Sequence, residues 1–459
     1  MGKKNEVDMI NGPLMGKIIV FVIPVILSGV LQLLFNAADI VVVGRYAGSD
    51  SLAAVGSTTS IVNLLVNFFI GISIGANAVT ARLIGVGSKS GIEETVHTAM
   101  VTSVISGLIL VFVGFIFTRP LLVAMGSPEN VLNKSALYLR IYFAGMPATM
   151  LYNFGSAILR AFGDTKRPLI YLSIGGVINV VLNLFLVIVF KMDVAGVGIA
   201  TVVAQCIAAV LVLRRFLSTD ELYRLDRTKL KINKHRLLQM FRVGVPAGLQ
   251  SVVFNIANVI IQSSVNSFGA VVMAGNASAT SIEGILFTAM NSFNQAGLTF
   301  TSQNLGAKKI KRIKKVLIDC VLLVIIVGII VGGGMYITSD FLLGIYSKDP
   351  EVMRYASMRF TLMCATYFIC GAMDTTTGVL RGMGYSFFSM CISLICVCGI
   401  RLLFVFTYFQ THRTYFTLFL SYPLSWIAAF AVEMVLFVYG YRKLIRANPE
   451  NDIFTEAKV

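Results

Sequence analysis

KIIVFVIPVILSGVLQLLFNAADIVVVGRY, residues Lys17 to Tyr46, decides how the rest of the chain is read. Between Lys17 and Arg45 it holds 27 residues with a single ionisable group, Asp39. A run of about 20 apolar residues crosses a bilayer as a helix. An aspartate near the centre of such a helix costs about 2.5–3.5 kcal/mol on insertion scales, so one that is retained faces a cavity and has work to do. Pro24 removes one backbone hydrogen bond and bends the helix. The stretch therefore predicts a kinked membrane span that carries a titratable group.

Composition fixes the class. Of 459 residues, 56% are hydrophobic and 13% charged, against about 25% charged in soluble domains. Mean hydropathy is +0.82. The chain reads as an all-α polytopic membrane protein. The first apolar run has no small-residue cleavage pattern at its end and is read as a retained helix. Twelve spans are expected, at 17–43, 52–80, 96–118, 136–159, 169–190, 195–215, 237–267, 271–301, 316–338, 355–379, 386–409 and 414–441. The one long polar connection is 216–236. All seven cysteines lie in apolar segments and read as small hydrophobes rather than as a metal site.

The basic residues set the orientation. With the N-terminus inside, cytoplasmic segments hold 28 Lys and Arg, outer loops hold seven, and Arg140, Arg359 and Arg401 lie within spans. This is the positive-inside bias. It accounts for the net charge of +16 through anionic lipid rather than nucleic acid. The expected location is the cytoplasmic (inner) membrane, with both termini cytoplasmic.

The two halves are copies. LRAFG (Leu159 to Gly163) recurs as LRGMG (Leu380 to Gly384), and Pro24 recurs as Pro246. Six spans separate the copies, so both have the same orientation. The expected organisation is a six-helix bundle over 1–215, a cytoplasmic linker over 216–236, and a second six-helix bundle with a cytoplasmic tail over 237–459. Transporters built from such repeats bind substrate near the repeat interface and rock around it.

Five acidic residues fall within spans: Asp39, Glu283, Asp319, Asp374 and Glu433. Asp319 and Glu433 lie toward basic inner segments and read as structural. Asp374 sits in GAMDTTTG, among hydroxyl residues suited to a wet path. Glu283 lies in a helix rich in amides. Gln32, Asn36, Asn153, Asn179 and Asn183 gather with Asp39 in the first half, and Asn179 and Asn183 share a helix face. Together they suggest a hydrated cavity for ions and substrate. Three scattered histidines give no catalytic constellation, and the absence of a GxxxxGK[ST] motif argues against ATP as the energy source. An enzyme is not expected, nor a cofactor or bound metal. An ion gradient is left, with Asp39, Glu283 and Asp374 as candidate carriers.

These stretches resemble the multidrug and toxic compound extrusion (MATE) family of bacterial efflux transporters over about residues 14–442. The similarity rests on IPVILSGVLQLLFNAADIVVVGRYAG (23–48), GSAILRAFGDTKRP (155–168), GVINVVLNLFLVIVFKMDVAGVGIATVVAQ (176–205) and TFTSQNLGA (299–307). It implies a V-shaped pair of bundles exporting organic cations against protons or sodium. It also implies that Asp39 is the first-helix coupling acid, that Asn153 and Asn179 line its cavity, and that Asp374 is the acid of the tenth helix. The chain departs from the family twice. Asn183 stands where many members have an aspartate, and Phe254 where many sodium-coupled members have a glutamate. H+ is thus the expected coupling ion, with Na+ as the alternative. The expected substrates are small amphipathic organic cations, and the expected state is a monomer in the lipid bilayer. A lipid-linked oligosaccharide flippase and a non-transporting receptor or passive channel are the rival readings.

Overall fold

In lipid, backbone N–H and C=O groups find partners only within helices or closed barrels, and this chain answers with helices. A computed structural model describes residues 6–125 and 128–448. Residues 1–5 and the end of the expected tail, 449–459, lie outside the described residues. The first half runs through α1 (Leu14–Tyr46), α2 (Ser49–Val86), α3 (Lys89–Ala124), α4 (Glu129–Ala144), α5 (Met146–Ala161), α6 (Lys166–Leu184) with a π turn at Phe185–Val189, and α7 (Asp193–Leu217). The second runs through α8 (Lys234–Asn266), α9 (Ala270–Gly306), α10 (Ile310–Ile337), α11 (Ser339–Gly344), α12 (Pro350–Met383), α13 (Ser386–Ser393) with a π turn at Leu394–Gly399, α14 (Ile400–Phe406), α15 (Tyr408–Thr411) and α16 (Tyr415–Ala447). Among the described residues there is no strand.

Eleven helices among the described residues are long and apolar enough to cross a membrane. The twelfth expected span, 136–159, is divided at Gly145 into α4 and α5, 16 residues each. Pro147 follows the break and has no N–H to continue the ladder. It also sits against α3, where a Cβ on Gly107 would meet Pro147 Cα at 2.3 Å.

The chain forms two compact units. One holds the described residues of Met1–Val7, Leu27–Ile84 and Ser88–Gly248; the other holds Asp8–Ile26, Gly85–Gly87 and Leu249–Val459. The units therefore divide within α1 and within α8. Pro24 and Pro246, the repeated prolines, stand just before these two passages. In the first unit Phe143, Met150, Phe154 and Phe216 form the core. In the second, Phe409, Phe419 and Trp426 do so. Phe112 on α3 and Ile330 on α10 are each 66% exposed, as side chains facing lipid must be.

Glycine sets the closest packing in the second unit. A Cβ on Gly378 of α12 would lie 2.2 Å from the Asn294 carbonyl oxygen of α9, and one on Gly275 of α9 would lie 2.8 Å from the Val352 carbonyl oxygen. Small residues let membrane helices approach this closely. The LRAFG and LRGMG motifs also gain a reason. Gly163 (φ 83°) and Gly384 (φ 97°) are left-handed, a conformation that glycine adopts without a Cβ penalty.

Candidate functional site

In the first unit one of the two amides expected on one face of α6, Asn183, bonds the first-helix aspartate, and the other, Asn179, bonds Thr201, which also lies beside that aspartate. Asn179 and Asn183 are one turn apart, and the π turn Phe185–Val189 begins just after them. Asn183 Nδ2 donates to Asp39 Oδ1 at 2.7 Å. Thr201 Oγ1 on α7 lies 3.4 Å from Asp39 Oδ2 and 3.0 Å from the Val197 carbonyl, so its one proton serves either acceptor. Asn179 Nδ2 donates to the same hydroxyl at 3.3 Å. Asp39, Asn179 and Asn183 are buried. Tyr138 and Tyr142, one turn apart on α4, stack with centroids 6.1 Å apart. Both lie within electrostatic range of Asp39.

Two features give this cluster its chemistry. No cation pairs with Asp39 among the described residues. The Oδ1 atoms of Asn179 and Asn183 are buried with no hydrogen-bond partner among them either. An amide offers a donor on one side and an acceptor on the other. Asn183 as placed donates to a carboxylate; turned over, it accepts from a carboxylic acid. An aspartate at 183 would add a second charge instead. An amide beside Asp39 therefore has a bonding partner to offer to either form of the carboxyl group.

Other predicted members are elsewhere. Gln32 and Asn36 are exposed on α1 and make no hydrogen bond to Asp39. Asn153 is half-buried and donates to Thr149 O of its own helix at 2.8 Å. Thr201 was not foreseen from sequence, because a threonine in GIATVVAQ looks like ordinary bilayer material.

The second unit disposes of its carboxylates differently. Glu283 takes a two-pronged contact from Arg359, Nε to Oε1 at 2.8 Å and Nη2 to Oε2 at 2.7 Å. Arg359 Nη1 donates to Asn276 Oδ1 at 2.6 Å, and its guanidinium lies 4.5 Å from the Phe419 ring centroid. Asn276 in turn donates to Gln262 at 3.0 Å. A guanidinium thus already neutralises Glu283, which sets its surroundings apart from those of Asp39. Asp374 is buried, and its backbone carbonyl accepts from Asn294 at 2.7 Å. Its side chain makes no hydrogen bond among the described residues and has Arg381 and Arg401 in electrostatic range. Arg401 donates to Ser425 at 2.9 Å and lies 4.0 Å from the Tyr422 ring centroid. Glu433, read from the sequence as structural, stands on α16. It is fully buried and accepts from Thr377 at 2.6 Å.

Similarities to known proteins agree with this architecture. The MatE family model matches residues 24–185 and again 246–407, which is the duplication read from the repeated motifs. The chain is 29% identical over 435 residues to the probable multidrug resistance protein YoeA of Bacillus subtilis, covering 93% of this chain and 92% of that one. It is 24% identical over 383 residues to the probable multidrug resistance protein YpnP of the same organism, covering 82% and 84%. Its fold matches an outward-facing multidrug resistance MATE family transporter of the MOP superfamily at a TM-score of 0.88 and 19% identity, covering 97% and 98%. With two copies of the family domain, the helical membrane fold and a buried first-helix aspartate, this chain belongs to the MatE family of membrane transporters.

Proposed function

We propose that the protein exports small amphipathic organic cations across the cytoplasmic membrane by proton antiport, with Asp39 as the coupling acid. The observation that carries this reading is Asp39 itself: a buried carboxylate met by an amide and a hydroxyl and by no cation among the described residues. Such a charge is costly in the membrane interior until a proton or a cation neutralises it. The two neutralising partners exclude one another. A cationic substrate binds the carboxylate; a proton arriving from outside removes the charge and releases the substrate outward. Protonation thereby shifts the population toward the state that has let go.

Proton coupling is favoured over sodium by the second unit. Phe254 packs against the apolar cluster of Phe419 and Trp426, and a phenyl ring supplies no oxygen ligand for a hard cation. The relatives named for multidrug resistance support a drug-like substrate class. A monomer with both termini cytoplasmic completes the reading.

The test is uphill dye export by proteoliposomes with a proton gradient alone or a sodium gradient alone. Wild-type protein is expected to export under the proton gradient only. Asp39→Asn keeps the size of the side chain and loses the charge change, so export is expected to fall to background in a folded protein. Wild-type rates in Asp39→Asn sink the role of Asp39. Full export on sodium alone at symmetric pH sinks the coupling ion.

A further inference from the structure

Glu433 is 0% exposed on α16. Thr377 Oγ1 of α12 donates to its Oε1 at 2.6 Å, and Ser393 Oγ of α13 donates to the same oxygen at 3.3 Å. Its Oε2 is buried and has no hydrogen-bond partner among the described residues. Ser389, one turn before Ser393, is also fully buried with an unpartnered hydroxyl. No ion pair reaches Glu433 among the described residues. A fully enclosed carboxylate whose only partners are hydroxyls is costly as an anion. One oxygen is satisfied and the other is bare, which suits a group that gains and loses a proton.

The Asp39 cluster gives an independent parallel. Asn183 donates to Asp39 and stands two residues before the π turn of α6; Ser393 donates to Glu433 and stands immediately before the π turn that follows α13. π turns are rare, occur mostly as single turns inside α-helices and are frequent at functional sites. The charged and titratable groups around Glu433 are Asp374 and Arg381 on α12 and Cys396 in the π turn. Arg381 Nη2 is bound to Gln250 Oε1 at 2.5 Å, and its Nε is unpartnered among the described residues. On the neighbouring helices, Asp319 of α10 has Arg312 and Lys315 in its own range. Arg401 of α14 is turned to Ser425.

A purely mechanical tie between α12, α13 and α16 needs no charge. Glutamine at 433 would accept the same two hydroxyl protons on its oxygen. We propose that Glu433 is a second proton-binding group of this protein, separate from Asp39, taking its proton on Oε2 while Thr377 and Ser393 hold Oε1. The proton adds to the bare carboxylate oxygen and leaves from it, with no other bond changed. Use of this group in transport rests on the proton-coupled reading above; the proton uptake itself does not.

Infrared difference spectroscopy of the purified full-length protein, between acid and alkaline pH, reads protonated carboxyl groups directly. One titrating carboxyl band is expected to vanish in Glu433→Gln and to change frequency in Glu433→Asp, which keeps the carboxyl if the glutamine variant folds poorly. The same band is expected to persist in Asp39→Asn. Spectra of Glu433→Gln and Glu433→Asp identical to wild type overturn the proposal. So does loss of the band in Asp39→Asn, which would assign it to Asp39. Uphill dye export by Asp39→Asn would overturn the transport reading and leave the Glu433 band where it is.

Discussion

The spans of this chain hold carboxylates in different settings, and the settings decide their roles. Glu283 is answered by a guanidinium, Glu433 by two hydroxyls, and Asp39 by an amide and a hydroxyl. Removing one partner of a buried ion pair strands the other, at a cost of about 3–5 kcal/mol. Thermal unfolding in detergent should therefore show Arg359→Met strongly destabilised, and the double variant with Glu283→Gln recovering part of the loss. A double variant no more stable than Arg359→Met would mean that the pair is not the main role of Arg359. Outside the membrane, burial and the nearby carboxylates of Glu221 and Asp164 push Glu6 up to about 7, against the pull of Arg167 and Arg215. The docked segment thus holds a proton more tightly than the free one. The contribution of Glu6 to docking is fully present below the ordinary value of 4.5 and is lost progressively as pH rises through about 7. Val7, whose amide donates to Gly163 O at 3.3 Å, reports this. Its hydrogen exchange, corrected for intrinsic rate, should quicken across that window, and Glu6→Gln should flatten the response.

Among elements, the α9–α12 pair shows how repeated sequence is turned to a local purpose. Asn77 of α2 donates to Ala157 O of α5 at 2.9 Å, and Asn294 of α9 donates to Asp374 O of α12 at 2.7 Å. The motif offset from Leu159 to Leu380 would place the second bond at 298 and 378. It is made four residues earlier on both helices, one turn along, and so fastens the backbone of Asp374. The glycine at 378 is what lets the helices close there. Gly378→Ala should lower the unfolding temperature in detergent, since its Cβ would stand 2.2 Å from a backbone oxygen, with a cost of about 1–3 kcal/mol. Gly334→Ala on α10 meets nothing within 4 Å and should be neutral or stabilise by about 0.5–1 kcal/mol through helix propensity. Equal effects at the two sites would remove close packing as the reason for Gly378.

For the whole molecule, the distribution of basic residues predicts orientation, and the structure supplies the positions at which to test it. Thr219, in the middle loop, is 4% exposed and its hydroxyl accepts from the Glu221 amide, so it is a poor labelling site. Lys231, in the same connection, and Ala270, at the start of α9, are both exposed. In a cysteine-free background, Lys231→Cys should resist an impermeant thiol reagent applied to intact cells, and Ala270→Cys should react. The opposite pattern would reverse the topology.

Periodic events at the scale of a helix were legible in the sequence. The apolar runs, the duplication marked by LRAFG and LRGMG and the shared face of Asn179 and Asn183 all follow from local chemistry repeated at fixed spacing. Asp39 was legible because a charge in an apolar run is costly wherever the run packs. Partners across helices were not legible. Nothing in the order of residues says that Arg359 rather than Arg401 meets Glu283, that Thr201 meets Asp39, or that Thr377 meets Glu433. The same holds for the passages of α1 and α8 from one compact unit to the other. Each depends on the rotation of one helix against another, which is set by side-chain packing, close glycine contacts and π turns. A rotation of a few tens of degrees exchanges one partner for the next, so only the packed structure decides it.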